Sequence, residues 1–284
     1  MFHDALVPFA ERRIIKMNKR TMKKGLAIVL ALVMVFAMTA TAFAETNSNI
    51  TVYVTVERTL LSNQDPVLAP TKVVVPTGST VMDVLNKLKT QVEGFDFTSS
   101  GSVAEDTAYI KGFKVPSHAA FNYHSYIFYD EYYEELEEDD DYMAMYFEDY
   151  AQFPAATDLF LEAGDYCMLG GWIVSANNQI IWDDTTTTAV NEAYPTASSV
   201  IREDNTVLRF EYSLALARDC GYDGWNLMNP NAQADAFYNA ADKSELVRKM
   251  AENPNSSAYA AGMTTLKNMV ATQSAVNNAV ALFE

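Results

Sequence analysis

The sequence predicts an α+β fold, a mixed sheet with one helix packed on it followed by a small C-terminal three-helix unit, on three observations. Ile50 to Val56 reads Ile-Thr-Val-Tyr-Val-Thr-Val, which alternates with the two-residue period of a half-buried strand. A second β-prone run, Thr71 to Val75, breaks at Pro76-Thr77-Gly78 and passes into a segment where Val81, Val84, Leu85 and Leu88 share one helical face. Near the other end Tyr259, Met263, Leu266 and Val270 recur at i, i+4, i+7 and i+11, and Val276, Val280 and Phe283 repeat the pattern.

Ahead of the first strand, Lys16 to Lys24 is basic, Gly25 to Met38 is apolar, and Ala42-Phe43-Ala44 supplies the small-x-small pattern that signal peptidase cuts. Residues 1–44 are therefore expected to be a secretory signal, cleaved before Glu45. Met17 begins a conventional one, so residues 1–16 read as a mis-assigned start. The apolar run is short of the roughly 20 residues that a membrane span needs, so no stable membrane anchor is expected after cleavage.

Each later element has a local reason. In the helix that starts near Ser79 or Thr80, either residue can cap, and Asp83 stands three residues after Thr80 as the reciprocal partner of a capping box. Two strands followed by a helix lying across them form the opening of a β-grasp sheet. Ala108 to Phe113 is a further strand candidate. An insertion of about 116–154 follows, dense in Tyr and carboxylates. Gly164 to Trp182 places two apolar runs on either side of Ser175-Ala176-Asn177-Asn178, which reads as a hairpin because Asn tolerates positive φ. Gly170 and Gly171 precede Trp172, where a missing Cβ lets the backbone bend or another group come close. Beyond Trp225, Asn229-Pro230 has the order of a cap followed by first-turn Pro, and Asn253-Pro254-Asn255-Ser256 separates Ser244 to Glu252 from the two periodic helices.

Charge excludes some partners. Residues 1–44 hold 7 of the 20 basic and 2 of the 37 acidic residues, leaving 13 against 35 and a net charge of −22 for the mature chain. Such a surface repels nucleic-acid phosphate and anionic lipid. Asp139, Asp140 and Asp141, at the centre of the acidic insertion, are where a Ca²⁺ ion would sit. Their spacing lacks the Asp-x-Asp-x-Asp-Gly order of an EF-hand, and a solvated excursion whose Tyr rings cover part of the sheet is the reading adopted.

Three stretches carry a family resemblance. Gly170-Gly171-Trp172-Ile173-Val174-Ser175-Ala176-Asn177-Asn178 resembles the small-Gly-Trp-hydrophobic-hydrophobic-Ser-x-Asn-Gly hairpin of the transcobalamin-like C-terminal domain family, a β-grasp module common in secreted proteins of Gram-positive bacteria. Gly78 to Leu85 is similar to the family's Gly-Ser-Thr-Val-x-Asp-x-Leu helix start. Asp204 to Tyr212 is similar to its last strand, and Cys220 to Gly224 to the Gly-x-Asp exit of bacterial members. The resemblance spans 45–226, with Asn178 and Asn205 standing where the family prefers Gly. In residues 227–284, Ala271-Thr272-Gln273-x-x-Val276-x-x-Ala279 resembles the last helix of FIVAR-type modules, with Thr272 as its N-cap. Such units are more often spacers than binders.

Candidate binding residues follow from the aromatic and amide groups. A Trp suits either a core or a ring-stacking site. Trp172, Asn177, Asn178 and Trp182 are the ligand candidates at the hairpin, with core packing against the helix the expected role of Trp172. The resemblance raises cobalamin as an alternative ligand, although a β-grasp domain alone offers one wall of such a site. Cys167 and Cys220, the two cysteines, either form one disulfide or stand as separate buried thiols. His118 and His124 lack the third ligand of a zinc site and are expected to be loop residues with hydrogen-bonding partners. No Gly-x-Ser-x-Gly elbow or phosphate loop is present. The expectation is a secreted or cell-surface binding or presentation module, free or wall-associated, for a small ligand or protein partner, without catalytic residues, resident metal or cofactor. Corrinoid capture with a partner domain is the alternative, and a hydrolase the third class.

Overall fold

The computed structural model describes residues 48–61, 64–118, 121, 126–128, 158–167, 169–180, 182–183, 192–193, 196–225 and 233–284. Asn49 to Glu284 form one compact unit. The expected signal segment, His124, most of the acidic insertion with Asp139, Asp140 and Asp141, and the Asn229-Pro230 cap lie outside the described residues. Among the described residues no helix is long and apolar enough to cross a membrane.

The centre is a four-stranded mixed sheet. β1 (Asn49–Glu57) pairs antiparallel with β2 (Leu68–Pro76) on one side and parallel with β9 (Thr206–Ser213) on the other. β6 (Gly171–Ala176) pairs antiparallel with β9, giving the order β2-β1-β9-β6. This is a β-grasp-like arrangement, and the expected α+β class is what the chain adopts. Helix α1 (Val81–Gln91) lies against one face. Its Val81, Val84, Leu85 and Leu88 are fully buried against Val52, Val54, Val56, Leu208 and Phe210, each apolar side chain contributing roughly 1.5–3 kcal/mol on burial.

The start of α1 accounts for every orphan donor. Thr80 Oγ1 accepts from Asp83 N at 3.2 Å, and the Asp83 carboxylate accepts from Thr80 N at 2.8 Å, which is the expected capping box. Val81 N and Met82 N donate to the carbonyls of Ser199 and Ala197, so the segment before β9 seals the helix end.

A second sheet, three-stranded, leans on this core. β3 (Phe97–Ser100), β4 (Tyr109–Lys114) and β5 (Phe160–Glu162) run antiparallel in the order β3-β4-β5. β4 matches the strand expected near Ala108 to Phe113. At the root of the insertion Tyr126 packs edge-on to both Phe121 and Phe128, Phe121 packs edge-on to Tyr166, and Phe128 stacks on Tyr238, which makes an aromatic anchor.

The hairpin needs correction. Asn177 and Asn178 form a turn at φ 48° and 64°, as their tolerance for this region predicts. Among the described residues the second arm meets the first at one bridge, Ala176 with Gln179, and β7 (Trp182–Asp183) pairs with β8 (Glu192–Ala193) in a separate ribbon. β6 instead takes β9, a buried strand of eight residues, as its sheet partner. Of the two glycines before Trp172, only Gly170 answers a close approach: a Cβ there would stand 2.6 Å from the Asp165 carbonyl and 2.8 Å from the Tyr212 hydroxyl. Asn178 and Asn205, with φ 64° and 65°, keep the backbone for which Gly is usually chosen.

After β9 the chain forms a short ribbon of β10 (Gly224–Trp225) and β11 (Gln233–Ala234), then three helices, α2 (Ser244–Glu252), α3 (Tyr259–Lys267) and α4 (Gln273–Ala281). Thr272 caps α4 by accepting from Ala275 N. The helices pack on the sheet face opposite α1, where Tyr53 and Val207 join Leu246, Val247, Met250, Leu266 and Val276 in one core. Val270, expected on the buried stripe, is 53 % exposed: α3 stops at Lys267, and Asn268 turns to extended backbone.

Candidate functional site

Strand periodicity places unusual chemistry on that second face. Leu208, Phe210 and Tyr212 of β9 point toward α1, so Arg209 and Glu211 between them must point the other way. The parallel register sets Glu57 beside Glu211 and Thr55 beside Arg209, while the antiparallel neighbour brings Ser175 level with Arg209. Two carboxylates and a guanidinium thus meet beneath the helices.

Arg209, 2 % exposed, grips Glu57 with a fork: Nε donates to Oε1 and Nη2 to Oε2, both at 2.9 Å. Nη2 also donates to Glu211 Oε1 at 2.7 Å. Tyr222 closes the group, giving its proton to Glu211 Oε2 at 3.0 Å and accepting from Arg209 Nη1 at 3.4 Å, with Ser175 Oγ and Asn178 Oδ1 each 3.3 Å away. Burial works against the Arg209 charge, but Glu211 and Glu57 outweigh it and hold the guanidinium well above its ordinary value. Burial raises the Glu211 carboxyl, with Arg209 opposing. Burial and then Glu211 push the Tyr222 phenol far up.

The segment that brings Tyr222 back over the sheet is held by Asp219. Its carboxylate accepts from the Ser213 hydroxyl, from Leu214 N at 2.7 Å and from the Tyr126 hydroxyl at 2.8 Å. Ser213 Oγ in turn accepts from Ala215 N and Ala217 N. Leu216 and Ala217 take the left-handed region, at φ 52° and 80°, within this frame. Gly224 lets the chain pass, since a Cβ there would lie 2.1 Å from the Leu216 carbonyl.

From the other side comes Lys243, 4 % exposed, just before α2. Nζ donates to the carbonyls of Leu266 and Asn268, each at 2.8 Å, closing the C-terminal end of α3 where a cation is favoured. Burial, then the nearby Arg209, bring its amine down to about 8.

The candidates named from sequence fall differently. Trp172 is core, 7 % exposed: its indole N–H donates to the Leu161 carbonyl at 2.8 Å, and its ring meets Phe113 and Tyr212 edge-on at 4.8 and 5.2 Å. It offers no open face for stacking. Asn177 Oδ1 accepts from Val207 N, and Asn177 N donates to the Val207 carbonyl, so this side chain ties the turn to β9. Asn178 reaches the charged group through Tyr222. Trp182 sits in β7, outside the central sheet. The two thiols are free, Cys167 in the main core and Cys220 in a small cluster with Ile180, Ala217 and Tyr222, so the disulfide alternative gives way to two separate buried thiols. Both ring nitrogens of His118 are buried without a hydrogen-bond partner among the described residues, contrary to the expected loop partner. Among those residues no three His, Cys, Asp or Glu side chains are grouped to hold a metal.

Glu57, Arg209, Glu211, Tyr222 and Lys243 were missed in sequence. The first signal was available: Arg209 and Glu211, two apart, are the charged residues of a strand whose other members are apolar or uncharged. Compared with known proteins, the chain matches no protein-family model and no curated protein.

Proposed function

We propose that the chain is a secreted or cell-surface, non-catalytic module of a Gram-positive bacterium, related to the transcobalamin-like C-terminal domain family, that binds or presents a small ligand or protein partner. The observation that carries the reading is the engagement of the central charged groups with one another. Arg209 is closed by Glu57 and Glu211, and Asp219 is closed by three donors. A general acid or base must reach a proton on a substrate. These groups face each other beneath the helices and serve as scaffold, which leaves recognition to the loops around the sheet. The β2-β1-β9-β6 order with its crossing helix agrees with the β-grasp layout that the resemblance implies. The basic, apolar and small-x-small order of residues 16–44 supports export.

Expression in a Gram-positive host with the native leader tests both halves. The protein is expected in the medium or the wall fraction with Glu45 as its first residue, and the purified mature chain is expected to sediment saturably with washed cells or isolated walls. Recovery from the cytosol alone with the leader intact would overturn export. Absence of saturable sedimentation with either material would overturn the surface-binding reading.

A further inference from the structure

We propose that the small cavity where the three-helix unit meets the sheet binds one ordered water, which joins Lys243 of the helical unit to the Glu57–Arg209–Glu211 group of the sheet. The cavity offers about 20 Å³ to the centre of a water, and Glu57, Thr59, Glu211, Cys220 and Lys243 line it, with Leu60 among its apolar walls. About 10–15 Å³ on this measure admits one water, which also needs two to four polar partners. A sugar, nucleotide or corrinoid is far too large for it.

The lining supplies both kinds of partner. Lys243 has three N–H donors and spends two on the carbonyls of Leu266 and Asn268, leaving one. Thr59 Oγ1 is buried and has no partner among the described residues, a position unfavourable for a hydroxyl that stays unsatisfied. Each oxygen of Glu57 takes one bond from Arg209, and the two of Glu211 take one from Arg209 and one from Tyr222, so both carboxylates retain lone pairs. The ionised group holds two carboxylates, a guanidinium and an ammonium. Their charges cancel, which favours a neutral ligand over an ion. A single oxygen that accepts from Lys243 and donates to Glu211 or Thr59 meets these requirements.

Diffraction from crystals of the full chain, at a resolution where waters refine individually, tests the site. An isolated peak within hydrogen-bonding distance of Lys243 Nζ and Thr59 Oγ1 is expected. A cavity without density, or Lys243 Nζ swung into direct contact with Glu211 or Glu57, overturns the proposal. A solution measurement gives a second readout: long-lived water should show nuclear Overhauser effects to the Thr59 methyl and Cys220 β protons. Thr59→Val keeps the side-chain shape and should weaken the Cys220 signal at least several-fold, while an unchanged signal in that variant would also count against the site.

Discussion

Tyr53, at the middle of β1, donates its hydroxyl proton to Glu252 Oε1 at 2.6 Å, joining the second strand-face of the sheet to the end of α2 across 199 residues of sequence. Burial, then the Glu252 carboxylate, push the phenol up to about 12, and the hydrogen bond from Tyr53 draws the Glu252 carboxyl down. Tyr53→Phe keeps the ring in its core and removes the bond. The expected cost is about 1 kcal/mol, read from urea denaturation. Because the folded phenol ionises above its ordinary value of 10, this contribution is complete below pH 10 and is lost as pH rises toward 12. The difference between wild type and Tyr53→Phe should therefore shrink over that interval.

The Arg209 group should respond asymmetrically to mutation. Arg209→Met leaves Glu57 and Glu211 buried with no cation in their fork, and should cost about 3–5 kcal/mol. Replacing all three with apolar residues of similar volume, Glu57→Met with Arg209→Met and Glu211→Leu, removes the desolvation cost along with the attraction. The triple variant should be more stable than the single one. Urea midpoints for the two variants decide it, and a triple variant weaker than Arg209→Met would contradict the account.

Lys243 makes stability depend on pH in the direction opposite to Tyr53. Its folded amine titrates at about 8 against an ordinary 10.5, so below pH 8 both states are protonated and the cost of burying the charge is fully present. Between these values the unfolded chain holds more protons, and stability rises with pH. Relative to Lys243→Met, wild type should gain about 1 kcal/mol between pH 8 and 9. Comparing the two proteins cancels the thiols, which destabilise both as the unfolded Cys residues ionise from pH 9 upward while burial holds folded Cys167 at about 12.

Both thiols should be silent in the native state. Burial raises Cys167 and Cys220, and neither is bonded to the other. A thiol reagent should modify neither without denaturant and both in urea, with no reductant needed. An intact mass two hydrogens light before reduction would show a bridge instead.

The parts of the fold that rest on local physics were legible. Thr80 and Asp83 announce a capped helix within four residues, and the alternation from Ile50 to Val56 needs no distant partner to be read. The Asn177-Asn178 turn was legible too, but the strand it serves was not. β6 pairs with a strand that begins thirty residues later, and nothing in an apolar run records which neighbour will cover it. Of the site, Arg209 and Glu211 carried a readable mark, two charges on one face of a buried strand. Their partners did not: Tyr222 returns through a left-handed bend at Leu216 and Ala217, and Lys243 arrives from the helical unit, so their meeting is set by tertiary packing.

The parallel pairing of β1 with β9 also fixes an order of events. Val52 waits for Thr206 and Glu57 for Arg209, partners separated by about 150 residues, while β2 alone is available early. A polypeptide delivered from its N-terminus, by a ribosome or through a translocation pore, cannot close its main sheet until nearly three quarters of its length has emerged. Late closure of this kind, with its high contact order, slows folding and leaves the β9-facing edge of β1 uncovered during that interval.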